Sequence, residues 1–148
     1  MEAYVKTMEI RWADLDPNFH VLHSKYYDFG AYCRMCFLVE HGITPALMNS
    51  LNIGPVLFRE ECIFKRELNF GDELSINLRL QKGTHDFAKW SMVHELYKNK
   101  HKLAAIIHVD GAWIDTTIRK LAMPPPQVEA VFNAAPKTED FTFYSRKP

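Results

Sequence analysis

The spacing of apolar residues changes in the middle of this chain, from a helical period before Gly42 to alternation after Gly54. No other feature restricts the fold as much, because the two periods belong to different backbones. Tyr26, Phe29, Gly30, Cys33, Phe37 and Leu38 fall on one helical face, with Lys25, Asp28, Arg34 and Glu40 largely elsewhere on the wheel. Ser24 stands at the N-cap, Asp28 suits the positive end of the dipole, and Gly42 is a natural stop. The spacing predicts an amphipathic helix of roughly four to five turns. A short helix near Pro45 to Ser50 follows, and Gly54-Pro55 reads as the next turn.

Val56, Phe58, Cys62, Phe64 and Leu68 then alternate, as do Leu74, Ile76, Leu78 and Leu80 against Ser75, Asn77, Arg79 and Gln81. Phe87 to Tyr97 and Leu103 to Ile114 read as two further strands around a Lys98-Asn99-Lys100 turn, and Met8 to Trp12 as an earlier strand. Glu60 interrupts an apolar column and needs a partner, for which Arg66 on the same face is a candidate. Pro124-Pro125-Pro126 should end the sheet, with a short helix over Gln127 to Ala135 and a loosely packed tail through Pro148. One helix followed by consecutive long strands predicts an α+β fold, an antiparallel sheet of about five strands wrapped round one long central helix. The 148 residues suit a single domain, 1–148, with 124–148 as a C-terminal extension.

The charges exclude one class of partner. Lys plus Arg equals Asp plus Glu at 18 each, so no global positive field exists to hold nucleic acid. No apolar run is long enough to span a membrane, and Met1 to Lys6 lacks a secretory pattern. Three cysteines, an odd count, suit a reducing compartment, so a cytoplasmic location is expected. Cys33-Arg34-Met35-Cys36 lies inside the helix, where the dipole cannot activate a thiol, and reads as packing. The histidines beyond residue 40 are scattered without metal-ligand spacing, so no metal is expected.

Candidate chemistry concentrates between Arg11 and Tyr27, where Asp14, Asp16, His20 and His23 join a strand to the helix. This segment, with Phe70-Gly71-Asp72-Glu73-Leu74 further on, resembles the hotdog-fold acyl-CoA thioesterases, the family of 4-hydroxybenzoyl-CoA thioesterase. The similarity runs from about Glu9 to Pro126. It implies a hotdog fold that pairs through sheet edges, as a homodimer or dimer of dimers. It implies that Asp16, the second Asp of an Asp-x-Asp step, is the catalytic carboxylate. His20 falls on the His of a Gly-His-Val run, His23 on a His of some bacterial members, and Tyr26 or Tyr27 on the helix-starting Tyr. Gly54 lines up with a glycine whose N–H polarises the thioester carbonyl. Coenzyme A enters as part of the substrate, with no separate cofactor.

The chain also departs from the family. Phe19 replaces a common glycine, so the loop cannot take every backbone shape open to glycine, Leu15 stands where Thr is frequent, and Leu22 replaces Asn or Tyr. Phe19 and Leu22 suggest an apolar pocket.

Hydrolysis of a thioester needs a nucleophile and a polarised carbonyl. Asp16, held among Leu15, Pro17, Phe19 and Leu22, would be partly desolvated and thereby more reactive, and His23 could orient the thioester or the leaving thiol. On the residues alone Asp14 and Asp16 read as turn carboxylates, and the family pattern is what assigns Asp16 to catalysis. His20 and His23 read equally well as polar loop residues. Arg59, Lys65, Lys82 and Lys89 are candidates for the CoA phosphates. Two alternatives stand beside hydrolysis: a hydratase or dehydratase on acyl thioesters, and a non-catalytic acyl-thioester-binding dimer in which Phe19 and Leu22 block the site.

Overall fold

A strand holds its apolar residues on one side only if its neighbours keep register, and Leu74–Gly83 meets that condition along most of its length. The computed structural model describes residues 3–145. The elements run β1 (Tyr4–Met8), a 3-10 turn (Trp12–Asp14), α1 (Lys25–Glu40), α2 (Pro45–Leu51), β2 (Ile53–Phe64), β3 (Leu74–Gly83), β4 (Lys89–Lys98), β5 (Lys102–Asp115), β6 (Lys120–Leu121), α3 (Pro126–Ala134) and β7 (Lys137–Phe143). Five strands form one antiparallel sheet in the order β1-β3-β4-β5-β2. The short β6 joins β5, and β7 runs parallel to β3. In β3, Leu74, Ile76, Leu78 and Leu80 are all buried, and each contributes about 1.5–3 kcal/mol by leaving water.

The sheet wraps α1 on the face that its apolar spacing marks. Tyr26, Phe29, Gly30, Cys33, Phe37 and Leu38 are the buried residues of that helix. Gly42 takes a φ of +87° just past its end, a conformation that glycine holds without strain. Thr44 caps α2, its Oγ1 accepting from the Leu47 amide at 3.1 Å, with Pro45 as the first helical residue. The expected α+β arrangement of about five strands round a central helix is the one observed.

Several boundaries differ from the sequence expectations. The first strand ends at Met8, and Trp12 belongs to the 3-10 turn. Gly54-Pro55 is not a turn; both lie in β2, paired with Ile114 and Trp113, and the reversal is made by Asn52 at φ +53°. β2 is the edge of the five-strand order, where the missing proline N–H breaks no inner ladder. β2 also carries a bulge between Leu57 and Arg59 that leaves Phe58 without a partner on β5. The extra residue reverses the facing: Pro55 and Leu57 border α1 before it, while Cys62 packs on the core and Phe64 on Tyr26 after it. Val56 and Phe58 therefore leave the expected apolar column, and Phe58 is 63% exposed.

The sheet does not end at Pro124. Val128 and Phe132 of α3 are buried, and the Phe132 ring meets Phe87, Trp90 and Trp113 at centroid separations of 5.7, 6.0 and 5.7 Å. β1 covers β3 from Leu74 to Leu78 and β7 takes over from Leu80 to Gly83. Lys137 donates to the carbonyls of Phe132, Asn133 and Ala135, closing the C-terminus of α3. The segment expected to be loose thus packs on the sheet through Phe143, while residues 146–148 lie outside the described part.

Candidate active site

The loop from Glu9 to Ser24 is built by two acidic side chains with different duties. Asp14, 1% exposed, accepts from the Arg11 amide at 2.8 Å and from Arg11 Nη2 at 3.0 Å. Burial alone would raise its pKa, but the Arg11 hydrogen bonds and charge hold the carboxyl below its ordinary value. Its carbonyl accepts from the Leu22 amide, so Asp14 anchors both ends of the loop.

Asp16 sits at the base of a small hairpin, in which Leu15 bridges Val21 and the Val21 amide donates to Leu68 O at 2.8 Å. Its Oδ1 accepts from the Asn18 amide at 2.8 Å and the His20 amide at 3.2 Å. Its Oδ2 has no hydrogen-bond partner among the described residues. This turn brings Phe19 to φ +65°, so phenylalanine here takes one of the backbone shapes that glycine adopts more readily.

A cleft of about 320 Å³ opens beside Asp16, lined by His20, Val21, His23, Tyr26 and the run Phe64 to Glu67. His20 Nε2 lies 3.2 Å from Glu67 Oε2. His23 lines the cleft from the turn before α1, where it makes no hydrogen bond or ion pair among the described residues. Tyr26 is buried, its ring edge-on to Phe64 at 4.9 Å. Burial raises the Tyr26 phenol's pKa, with a Leu68 backbone hydrogen bond acting the other way.

Not every expected site residue comes to this cleft. Phe19 stands outside it, 59% exposed and 5.8 Å from the Trp12 ring, and Leu22 does not line it. The apolar wall expected from these two is absent from the Asp16 cleft of a single chain. Arg59 pairs with Glu61 at 3.0 Å and Asp110 at 3.4 Å, away from the cleft. Gly54 and Phe64 lie at opposite ends of β2, ten residues or about 33 Å of extended chain apart. One chain therefore does not bring Gly54 to its own Asp16.

Phe64, Arg66 and Glu67 are cleft residues that sequence reading assigned elsewhere or passed over. Arg66 was expected to pair with Glu60, but its Nη1 donates to Leu103 O at 2.7 Å, and Glu60 faces Arg34 at 3.7 Å. The available signal was the pair Lys65-Arg66 directly after an apolar strand, where both amides share Ala104 O of β5 as the chain leaves β2. A carboxylate with one fixed and one open oxygen, beside two imidazoles and two cations, can activate water or attack an acyl carbon. Among the described residues no acidic, histidine and cysteine group has the arrangement to hold a metal ion, and no helix is long and apolar enough to cross a membrane.

The model of the thioesterase-like superfamily matches residues 10–132. Among solved structures, the chain superposes on the 1,4-dihydroxy-2-naphthoyl-CoA thioesterase of Synechocystis with a TM-score of 0.80 at 16% identity, covering 90% of this chain and 97% of that one. A Staphylococcus aureus DHNA-CoA thioesterase gives 0.80 at 15% identity, covering 90% of each chain. A Staphylococcus aureus protein in complex with CoA gives 0.82 at 18% identity, covering 93% of this chain and 88% of that one. No curated protein matches the chain.

Proposed function

Because this chain belongs to the thioesterase-like superfamily and is a thioester hydrolase of the hotdog fold, we propose that it is an acyl-CoA thioesterase with Asp16 as its catalytic carboxylate. The supporting observation is the asymmetry of Asp16: two loop amides hold Oδ1, while Oδ2 is left unpartnered on a residue that lines the cleft.

Water and acyl-CoA give a free acid and the CoA thiol. In the general-base route Asp16 takes a proton from water, the hydroxide oxygen bonds to the acyl carbon, and the C–S bond then breaks. In the nucleophilic route an Asp16 oxygen itself bonds to the acyl carbon, the C–S bond breaks as the CoA thiolate leaves, and water opens the resulting anhydride to the free acid and Asp16, its released proton ending on the thiolate. His23 orients the thioester or the departing sulfur, and His20 and Tyr26 shape the mouth of the cleft. Lys65 and Arg66 are the cations best placed for the CoA phosphates.

Gly54 is not the carbonyl donor in this reading: Pro55 has no N–H, so the Gly54–Ile114 pair is one that exchanges hydrogen bonds in the β2–β5 ladder, and the Gly54 N–H is spent on Ile114 O. An amide at the Asp16 cleft polarises the carbonyl instead, and a homodimer paired through the β2 edges is the assembly in the same reading. A cytoplasmic location is part of the same proposal.

The test is Asp16→Asn. Asn keeps an acceptor for the Asn18 and His20 amides, so circular dichroism should be unchanged. The kcat on acyl-CoA should fall by about 10²–10⁴-fold, the usual value of a positioned base. Full activity in this variant removes Asp16 from the mechanism.

A further inference from the structure

A second cavity, of about 200 Å³, lies between α1, the start of β2 and the aromatic core. It shares no lining residue with the Asp16 cleft, so within one chain it stands apart from the reaction there.

Two tryptophans in its wall carry buried donors with nothing to bind. Trp90 is 2% exposed and Trp113 is fully buried, and neither indole Nε1 has a hydrogen-bond partner among the described residues. Buried polar groups left in this state are rare, since each loses its bond to water and gains none. The place of Trp90 is built into the sheet. It pairs with Gly111 on β5, where a Cβ would run into Cη2 and Cζ2 of the ring and also crowd Val56 O of β2. Cζ2 is on the side of the indole that carries Nε1. That side therefore reaches across β5 to the strand that supplies Pro55 and Leu57 to the cavity.

Arg34 adds the one charged group of the wall. Its side chain is 12% exposed, and Nη1 donates to His94 Nε2 at 3.1 Å; the His94 Nδ1–H is committed to Asn77 O at 2.7 Å, which fixes the tautomer. His94 is fully buried, and its burial and the neighbouring guanidinium keep it neutral, so it offsets none of the charge. The one carboxylate paired with Arg34 among the described residues is Glu60, at 3.7 Å, beyond hydrogen-bond length, with a side chain 28% exposed. The other lining side chains are hydrocarbon or thioether. Every strongly polar side-chain group of the wall is thus a donor, and the matching ligand has an acceptor-only head on an apolar body. A carboxylate meets this need and suits the planar fork of a guanidinium, whereas an alcohol or amine would bring a donor of its own. The volume holds about seven water-sized groups, the size of a five-carbon acid.

We propose that this cavity binds a free short-chain monocarboxylate, with Arg34 and the unpaired indole N–H groups as its donors and Leu38, Met92 and Phe132 against its tail. Glu60, on the sheet edge, turns to water when the ligand takes its place beside Arg34. The site goes beyond the thioesterase reading and does not depend on the chemistry at Asp16.

The experiment uses a Trp12→Phe chain, because the two tryptophans that remain both line the cavity. Isovalerate should give a saturable shift of their fluorescence with a Kd of about 1 mM or tighter, within reach of a ligand of this size. 3-Methylbutan-1-ol, with the same skeleton and no charge, should bind tenfold or more weakly. In calorimetry, Arg34→Met should weaken isovalerate binding by tenfold or more, and Glu60→Gln should tighten it several-fold. Asp16→Asn should bind isovalerate as wild type does. No saturable shift with isovalerate, or an alcohol that binds equally well, overturns the proposal. Loss of binding in Asp16→Asn also overturns it, since the acid would then sit in the cleft. Should Arg34→Met fail to fold, Glu60→Gln still decides: tighter binding supports the site, and unchanged affinity overturns it.

Discussion

Phe19 holds a left-handed backbone, φ +65°, that costs a bulky residue of order 1–3 kcal/mol, while its exposed ring regains little by burial. The Asp16 hairpin imposes this conformation, so what position 19 needs is backbone freedom. Phe19→Gly should therefore unfold in urea within about 1 kcal/mol of wild type, even though it loses the Trp12 ring contact. Phe19→Val, β-branched, should lose about 1–3 kcal/mol. Equal stabilities for the two variants would show that the hairpin relaxes and stores no strain. His94 gives a residue-scale prediction for pH. Burial first, then the Arg34 charge, lowers its pKa to about 3, against an ordinary value of 6.5. The unfolded chain takes up a proton between these values and the folded chain does not. Stability from a neutral His94 is thus fully present above about pH 6.5 and is lost as pH falls towards 3, at about 1.4 kcal/mol per pH unit across the window. Urea midpoints from pH 7 to 4 should fall less steeply in His94→Gln than in wild type. Parallel slopes would mean that His94 takes up its proton without unfolding the core.

At the scale of elements, α3 is the piece whose importance its sequence conceals. Phe132→Ala removes the ring that meets Phe87, Trp90 and Trp113 and should destabilise the chain by about 3–5 kcal/mol in urea denaturation. A loss below about 1 kcal/mol would mean that α3 is only draped on the sheet. Periodicity could not show this, because Val128 and Phe132 are just two buried side chains in a short helix behind three prolines. Where the pattern repeats it was legible: α1 buries the six residues its spacing marks, and β3 alternates over most of its length. The bulge at Phe58 was not, since one unpaired residue depends on how β5 pairs opposite it and reverses every later side chain. The mistaken partner for Glu60 has another cause: β2 ends at Phe64, so alternation does not carry on to Arg66. Counting by twos along β2 points to Arg66, whereas the fold brings in Arg34 from α1, at a long sequence distance and on a helix side that looked polar. For the site, the acidic loop and its cleft were legible as a local segment. The contribution of Phe64 to Glu67 was not, because it depends on where β2 leaves the sheet.

For the whole molecule, β2 is the element to follow. It forms one edge of the five-strand order, and Leu57, Phe58, Ile63 and Phe64 leave a row of apolar side chains exposed along it. Such an edge invites pairing with a second chain. A two-fold pairing would run two copies of β2 in opposite directions and carry the Phe64 end of one towards the Gly54 end of the other. The pairing makes a prediction about assembly. Phe58 is 63% exposed and has no partner on β5, so the single chain tolerates a charge there and Phe58→Lys should leave circular dichroism unchanged. The same charge on the pairing edge should convert the dimer that sedimentation velocity finds for the wild type into a monomer. A monomeric wild type, or a dimer that survives Phe58→Lys, would mean that β2 is not the edge through which two copies pair.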